Sequence, residues 1–274
     1  MEKEIIVDIN PYQTRVVLLE DGSPSEIYIE HRGRERLVGN IYKGRVQNVL
    51  PGMQAAFVDI GLERNAFLYA GDIQIDRSDF TFDGKQDEIK PAPLNIKDIV
   101  KPGQEVIVQI VKEPVGTKGA RVTTNITLPG RTLVLMPNVC YVGVSRRIED
   151  EEERTRLKNI LEDITAEYHM GVIVRTAAEG KGVAEFHADL QFLARLWERI
   201  QQKGKLLTAP HLIHAEEPLV FRTIRDLFTP DIKRLVINDR EFYEKIQVVA
   251  GILSPALRER VELYEGIPDM FDLL

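Results

Sequence analysis

The stretch that most constrains the fold runs from Gly39 to Leu68, GNIYKGRVQNVLPGMQAAFVDIGLERNAFL. It reads as two strands, Ile41 to Leu50 and Ala55 to Ile60, joined at the Pro51-Gly52 turn signal, with a third beginning near Ala66. Tyr42, Phe57 and Phe67 lie among Lys43, Arg45 and Arg64, so flat rings and cations recur within a short span. That combination suits single-stranded nucleic acid, because a ring stacks on any base while a cation follows the phosphates. It suits equally well an ordinary small-barrel core with a few solvated charges, and on this stretch alone both readings are open.

A chain of 274 residues, 43% of them hydrophobic, has apolar material for two or three modules of roughly 100–150 residues each. The net charge of -7 argues against nucleic-acid binding by bulk electrostatics, so any such site has to be a local basic patch. A single cysteine, Cys140, excludes an intrachain disulfide and a zinc site of several cysteines, and fits a reducing compartment. No apolar run approaches the roughly 20 residues of a membrane span. The start MEKEIIVDIN lacks the apolar core of a signal peptide, and the expectation is a cytoplasmic, soluble protein.

Residues 3 to 30 give three strand patterns, EIIVDI, TRVVLLE and SEIYIE, separated by turn signals at Asn10-Pro11 and Asp21-Gly22-Ser23-Pro24. Such a meander is too small to stand alone and needs a partner from later in the chain. Residues 72 to 95 are polar and proline-containing, and are expected to form a long inserted loop. Strand patterns resume with EVIVQIVKE and ARVTTNI, flanking a glycine-rich turn that presents Lys118. Five strands between 38 and 126 match an OB-type barrel. From 131 to 203 strands alternate with two amphipathic helices, the first beginning after Asp150 and the second carrying Phe186, Leu190, Leu193, Trp197 and Ile200 on one stripe. The last third reads helix, strand, helix, strand. Joined to the meander it gives the order of a ribonuclease H-like domain split by an insertion.

The segments NIYKGRVQNVLPGMQAAFVDIGLERNAFL, NIKDIVKPGQEVIVQIVKE, TLVLMPN, GVSRRIE, GVIVRTAA and ELYEGIPDMF occur in order from residue 40 to 271. On these the chain resembles the N-terminal part of the ribonuclease E/G family of bacterial endoribonucleases. The resemblance implies an α+β multidomain fold: a ribonuclease H-like domain split between 1–35 and 211–274, an OB-type RNA-binding barrel at 36–127, and a small α/β 5′-sensor domain at 128–210. It implies that Arg175 and Thr176 clamp a 5′-monophosphate, with the Val134 backbone and Gly130 as the pocket wall. Arginine suits that task, offering a planar fork of donors to phosphate oxygens. It also implies that Phe57 and Phe67 contact RNA with Lys118 as their basic partner, and that Arg146 and Arg147 are the paired arginines of a neighbouring hairpin, one reaching the RNA end and the other pairing with Glu149. Lys43, among the rings of the opening stretch, is a further candidate for RNA contact.

In this family, cleavage of the phosphodiester belongs to magnesium-binding aspartates in a domain after the second ribonuclease H-like half. The expectation is therefore that this chain binds single-stranded RNA, preferentially with a 5′-monophosphate, binds no cofactor itself and does not cleave. Magnesium, and the possibility of a homo-oligomer, attach to the full-length enzyme. The family's cysteine pair that shares zinc between protomers has no counterpart, since Cys140 stands alone. Within the ribonuclease H-like half, Asp8, Asp226 and Asp239 are the nearest candidates for a catalytic acid set, and Asn10 and Asn238 stand where such a site would welcome charge. His31, His169, His187, His211 and His214 accompany no nucleophile pattern. The alternative is a non-catalytic RNA-binding protein of barrel-plus-sensor type.

Overall fold

The computed structural model describes residues 2–33, 36–73, 80–81, 95–253, 255–266 and 271. They form two compact units: Met1–Arg36 with Glu217–Leu274, and Leu37–Glu216.

The first unit opens with β1 (Lys3–Ile9), β2 (Gln13–Glu20) and β3 (Ser23–His31). Side-chain chemistry sets both turns. Asn10 Oδ1 accepts the N–H groups of Tyr12 and Gln13, each at 3.0 Å. Asp21 and Gly22, at φ 48° and 77°, supply the left-handed pair that a two-residue hairpin requires. Alternation sends Ile5, Val7, Val16 and Leu18 to one face of the sheet and Ile6, Val17 and Leu19 to the other.

The second unit begins with β4 (Ile41–Leu50), β5 (Ala55–Asp59) and β6 (Ala66–Tyr69). Then come the two-residue β7 (Phe80–Thr81), the single turn α1 (Ile96–Ile99), β8 (Glu105–Lys112) and β9 (Arg121–Thr123). Strands β4, β5, β6, β9 and β8 pair in that order and β8 returns to β4, so the sheet closes into a five-stranded barrel consistent with an OB-type fold. A Cβ on Gly44 would lie 2.5 Å from Val58 Cγ1, so β4 coils over β5 only because that position lacks a side chain. Apart from β7 and the ends at 72–73 and 95, the loop expected at 72–95 lies outside the described residues.

Next follow β10 (Leu128–Pro129), β11 (Leu133–Met136), β12 (Val142–Ser145), α2 (Glu151–Ala166), β13 (Gly171–Val174), α3 (Val183–Leu206) and β14 (His211–His214). Asp150 caps α2, accepting the N–H groups of Glu152 and Glu153 at 2.9 and 3.4 Å. The apolar stripes of the two helices, Leu157, Leu161 and Ile164 on α2 and Phe186, Leu190, Leu193 and Trp197 on α3, enter one core. The sheet beneath is ordered β10-β11-β13-β12-β7, with β12 and β13 parallel. One boundary shifts. The strand at His211–His214, placed from sequence with the last segment, pairs instead with β4, and the second unit extends to Glu216.

The chain then returns to the first unit with α4 (Leu219–Asp226), β15 (Ile232–Ile237), α5 (Arg240–Leu253), α6 (Pro255–Arg258) and β16 (Val261–Leu263). The completed sheet is ordered β16-β15-β1-β2-β3, with β15 parallel to both β1 and β16. Val220, Ile224, Phe228 and Ile246 cover its Ile5 and Val7 face. Among the described residues no helix is long and apolar enough to cross a membrane.

Candidate nucleic-acid interface

The two readings of the Gly39–Leu68 stretch divide by residue. Tyr42 is buried in the barrel core beside Ala56, Val58, Ala66 and Leu68. Phe57 and Phe67 are the intervening positions on their strands, so alternation turns both outward, half-buried and opposite one another. Their rings meet edge to face with centroids 5.9 Å apart. Register extends the row: Asn48 lies opposite Phe57, Arg121 beside Phe67, and Lys112 opposite Arg121. Arg121 is held by Asp72 and lies 5.8 Å from the Tyr69 ring. Lys118 is exposed in its turn, which is brought beside β6 where Phe67 N–H donates to the Ala120 carbonyl at 2.7 Å. Lys43 is held elsewhere. Its ammonium lies 2.8 Å from Glu105 Oε2 and donates to the Leu207 carbonyl at 2.8 Å. The hydrogen bond from the Lys43 ammonium to the carboxylate, then the one from the Ala209 N–H, keeps the Glu105 carboxyl below the usual carboxylate range.

A second group collects at one end of the α/β sheet. Parallel pairing sets Val144 beside Val174, so Arg146-Arg147 and Arg175-Thr176 leave the carboxyl ends of neighbouring strands, where open α/β sheets place their ligands. Antiparallel β11 starts at the same end, Leu133 facing Val174, and brings the Gly130–Thr132 turn with it. Arg175 is half-buried; its N–H donates to the Thr132 carbonyl at 2.9 Å and its Nη1 to the Gly130 carbonyl at 2.6 Å. Val134 pairs with Ile173, two residues before Arg175. Thr176, Arg146 and Arg147 are exposed, and no ion pair joins either arginine to Glu149 among the described residues.

Two residues that sequence reading missed shape this end. Asp189 on α3 accepts the N–H groups of Arg131, Thr132 and Leu133 at 3.3, 2.8 and 3.0 Å, and the Thr132 hydroxyl at 2.8 Å. A Cβ on Gly130 would lie 2.5 Å from Asp189 Oδ1, so glycine lets the carboxylate close onto the turn. Arg131 is the other: burial pushes its guanidinium below its usual range, and the Asp189 charge opposes that shift. No local pattern flags Asp189, which is 57 residues from Thr132.

The segment after Thr176 is anchored by Glu153, which takes both the Nε and Nη2 donors of Arg156, at 2.6 and 2.7 Å, and the Gly180 N–H at 2.8 Å. The Arg156 guanidinium, then the Gly180 N–H, hold the Glu153 carboxyl down to about 2. A carboxyl depressed on folding stabilises the fold above its ordinary value near 4.5, and that contribution is lost as pH falls toward 2. Glu153→Gln is therefore expected to lower Tm at neutral pH and to flatten the fall of Tm across that acid window. An acid limb identical to wild type in a calorimetric pH series would refute it.

In the first unit the candidate acids have structural partners. Asp8, 2% exposed, accepts Arg15 Nε and Nη2 at 2.8 and 2.6 Å, Asn238 Nδ2 at 2.7 Å and Asn10 Nδ2 at 3.4 Å. Asp226 pairs with Arg225 at 3.0 Å, and Asp239 caps α5 through the Phe242 N–H at 2.9 Å. A carboxylate neutralised by a guanidinium and two amides is a poor ligand for magnesium, so Asp8 does not fit that ion. Of the histidines on β14, His211 is exposed and His214 is half-buried, burial pushing its imidazole below the ordinary value. The Cys140 thiol is exposed and donates to the His169 carbonyl at 3.3 Å.

The described residues thus combine a closed barrel carrying an outward aromatic–cationic row with an α/β sheet that gathers arginines at one end. Residues 127–274 match the Ribonuclease E/G family model. The chain is 42% identical to ribonuclease G of Haemophilus influenzae over 270 residues, covering 98% of this chain and 54% of that protein. It is likewise 42% identical to ribonuclease G of Escherichia coli K12 over 273 residues, and 39% identical to ribonuclease E of Haemophilus influenzae over 274. The chain belongs to the ribonuclease E/G family. It spans about half the length of the ribonuclease G relatives.

Proposed function

We propose that this chain is the RNA-binding and 5′-monophosphate-sensing portion of a single-strand-specific endoribonuclease of RNA processing and decay. The observation that carries this reading is the convergence of Arg175-Thr176, Arg146-Arg147 and the Gly130–Leu133 turn at one end of one sheet. Three elements bring cations and backbone to a spot where a terminal phosphate can be gripped by charge-assisted hydrogen bonds. A 5′-hydroxyl offers no charge to pair there. The barrel row of Phe57, Phe67 and Arg121, with Lys118 beside it, holds the body of the strand by stacking and charge. The first unit is a ribonuclease H-like fold in this reading, supported by its sheet order and by β15 running parallel to β1. Its role is structural, given the partners of Asp8. Phosphodiester hydrolysis needs converging carboxylates that hold a metal ion and its activated water. The resemblance assigns magnesium and that chemistry to the length the relatives have beyond this match.

Fluorescence titration with one single-stranded RNA bearing either a 5′-monophosphate or a 5′-hydroxyl tests the reading. The phosphorylated strand is expected to bind more tightly, and equal affinities would sink the sensor assignment. Phe57→Ala and Phe67→Ala should each weaken both RNAs by ~1–3 kcal/mol, without changing their ratio. Because neither ring enters the barrel core, Tm should hold. A fall in Tm with RNA affinity intact would return these rings to a packing role.

A further inference from the structure

The exposed side of α3 carries a surface that neither the barrel row nor the sheet end includes. Phe192 is 64% exposed and Leu206 84% exposed, and Arg195, Arg199 and Lys203 between them are exposed as well. At 100° per residue these five positions fall within an arc of about 80°, spread over about 21 Å of helix. The opposite stripe, with Leu190, Leu193, Trp197 and Ile200, is buried in the core. A ring this large left in solvent beside cations is not explained by packing. Among the described residues Arg195 and Arg199 have no ion pair, whereas Lys203 donates to the Ile213 carbonyl at 3.4 Å. Of the helix's acids up to this point, Glu185 bonds the Gly182 N–H at 3.1 Å and Asp189 holds the 131–133 turn, leaving Glu198 on the flank. In a chain of net charge -7, a face with three cations and a ring is a local exception.

We propose that the Phe192–Arg195–Arg199 face of α3 is a further contact for the RNA strand, taking phosphates on the two arginines and one base on the ring. A flexible polyanion with flat bases matches this face in both charge and shape. The face also starts in a suitable place. Asp189, three residues before Phe192 on the same helix, holds the turn next to Arg175, so nucleotides following a gripped 5′ end would pass onto α3. That direction of travel rests on the function proposed above, but contact between RNA and this face does not.

The test uses this chain and a single-stranded dodecamer in its 5′-monophosphate and 5′-hydroxyl forms. Arg195→Gln combined with Arg199→Gln is expected to weaken both forms by the same factor and to leave their ratio unchanged. The slope of log K against log salt should shrink by about 1.4, the value for two phosphate contacts on a single strand. Phe192→Ala should weaken both about fivefold or more, and 4-thiouridine in the strand should crosslink to the α3 peptide in wild type only. If wild type shows no preference between the two ends while these variants still weaken binding, the sensor reading fails and the α3 contact stands. Unchanged affinity and salt slope in both folded variants would overturn the proposal. So would sedimentation showing that the substitutions dissolve a self-association while RNA affinity is unaffected, because the face would then join copies of this chain.

Discussion

Arg175→Ala is expected to erase the difference in affinity between 5′-monophosphorylated and 5′-hydroxyl RNA while leaving the affinity for the hydroxyl form almost intact. The half-buried guanidinium is fixed from two sides, by its backbone on Thr132 and by Nη1 on the Gly130 carbonyl. A cation so placed loses little freedom when it meets a phosphate, so most of the attraction appears as affinity. Each charged hydrogen bond is worth about 1.5–3 kcal/mol, which corresponds to roughly 10- to 150-fold in binding. Arg175→Lys should recover only part of the preference, because an ammonium keeps the charge and loses the fork. Paired titrations of the two RNAs against the three proteins read this directly. A preference that survives in the alanine variant would move the clamp to Arg146 and Arg147, the other cations at that end of the sheet.

Asp189→Ala carries the second large effect, on stability first and on the 5′ end as a consequence. The substitution strands the N–H groups of Thr132 and Leu133 and the Thr132 hydroxyl, residues 5% and 0% exposed. Leaving buried donors unpaired costs about 1–3 kcal/mol each, and since the groups act as one unit a total near 3 kcal/mol is expected. Asp189→Asn preserves an acceptor but removes the charge, and should fall between wild type and alanine. Urea unfolding gives the stability loss, and the monophosphate preference, measured well below the unfolding midpoint, should drop in parallel. A stable Asp189→Ala chain with full preference would show that the turn holds its shape without the carboxylate.

What could be read from sequence follows the range of each physical signal. The hairpins of the first sheet were legible because Asn10 and the Asp21-Gly22 pair act within a few residues. Helices α2 and α3 were legible from a cap at Asp150 and an apolar stripe of period 3.6. The partner of the strand His211–His214 was not legible, because alternation marks a strand and says nothing of its neighbour; it pairs with β4 in the barrel sheet. Among the three rings of the opening stretch the resemblance singled out Phe57 and Phe67, whereas local pattern left core and surface open; the paired strands turn these two outward and Tyr42 into the core. Lys43 suggested an RNA contact by its neighbours in sequence, whereas its charge meets Glu105 across a strand pair. Arg121, Lys112 and Asp189 went unread for the same reason, since each acquires its role from a residue distant along the chain.

The discontinuous first unit has a consequence for how the protein is made. β1 needs β15 as its parallel neighbour, and the Ile9 N–H waits for Asn238, 229 residues further on. At a synthesis rate of 5–20 residues per second that interval is roughly 10–45 s. Throughout it, the three-stranded meander leaves the ribosome with its β1 edge unpaired and Ile5 and Val7 uncovered, while the whole second unit is completed ahead of it. Of the two units, the one begun first is thus the last to be completed, and until then its β1 edge stays open to pairing with other strands.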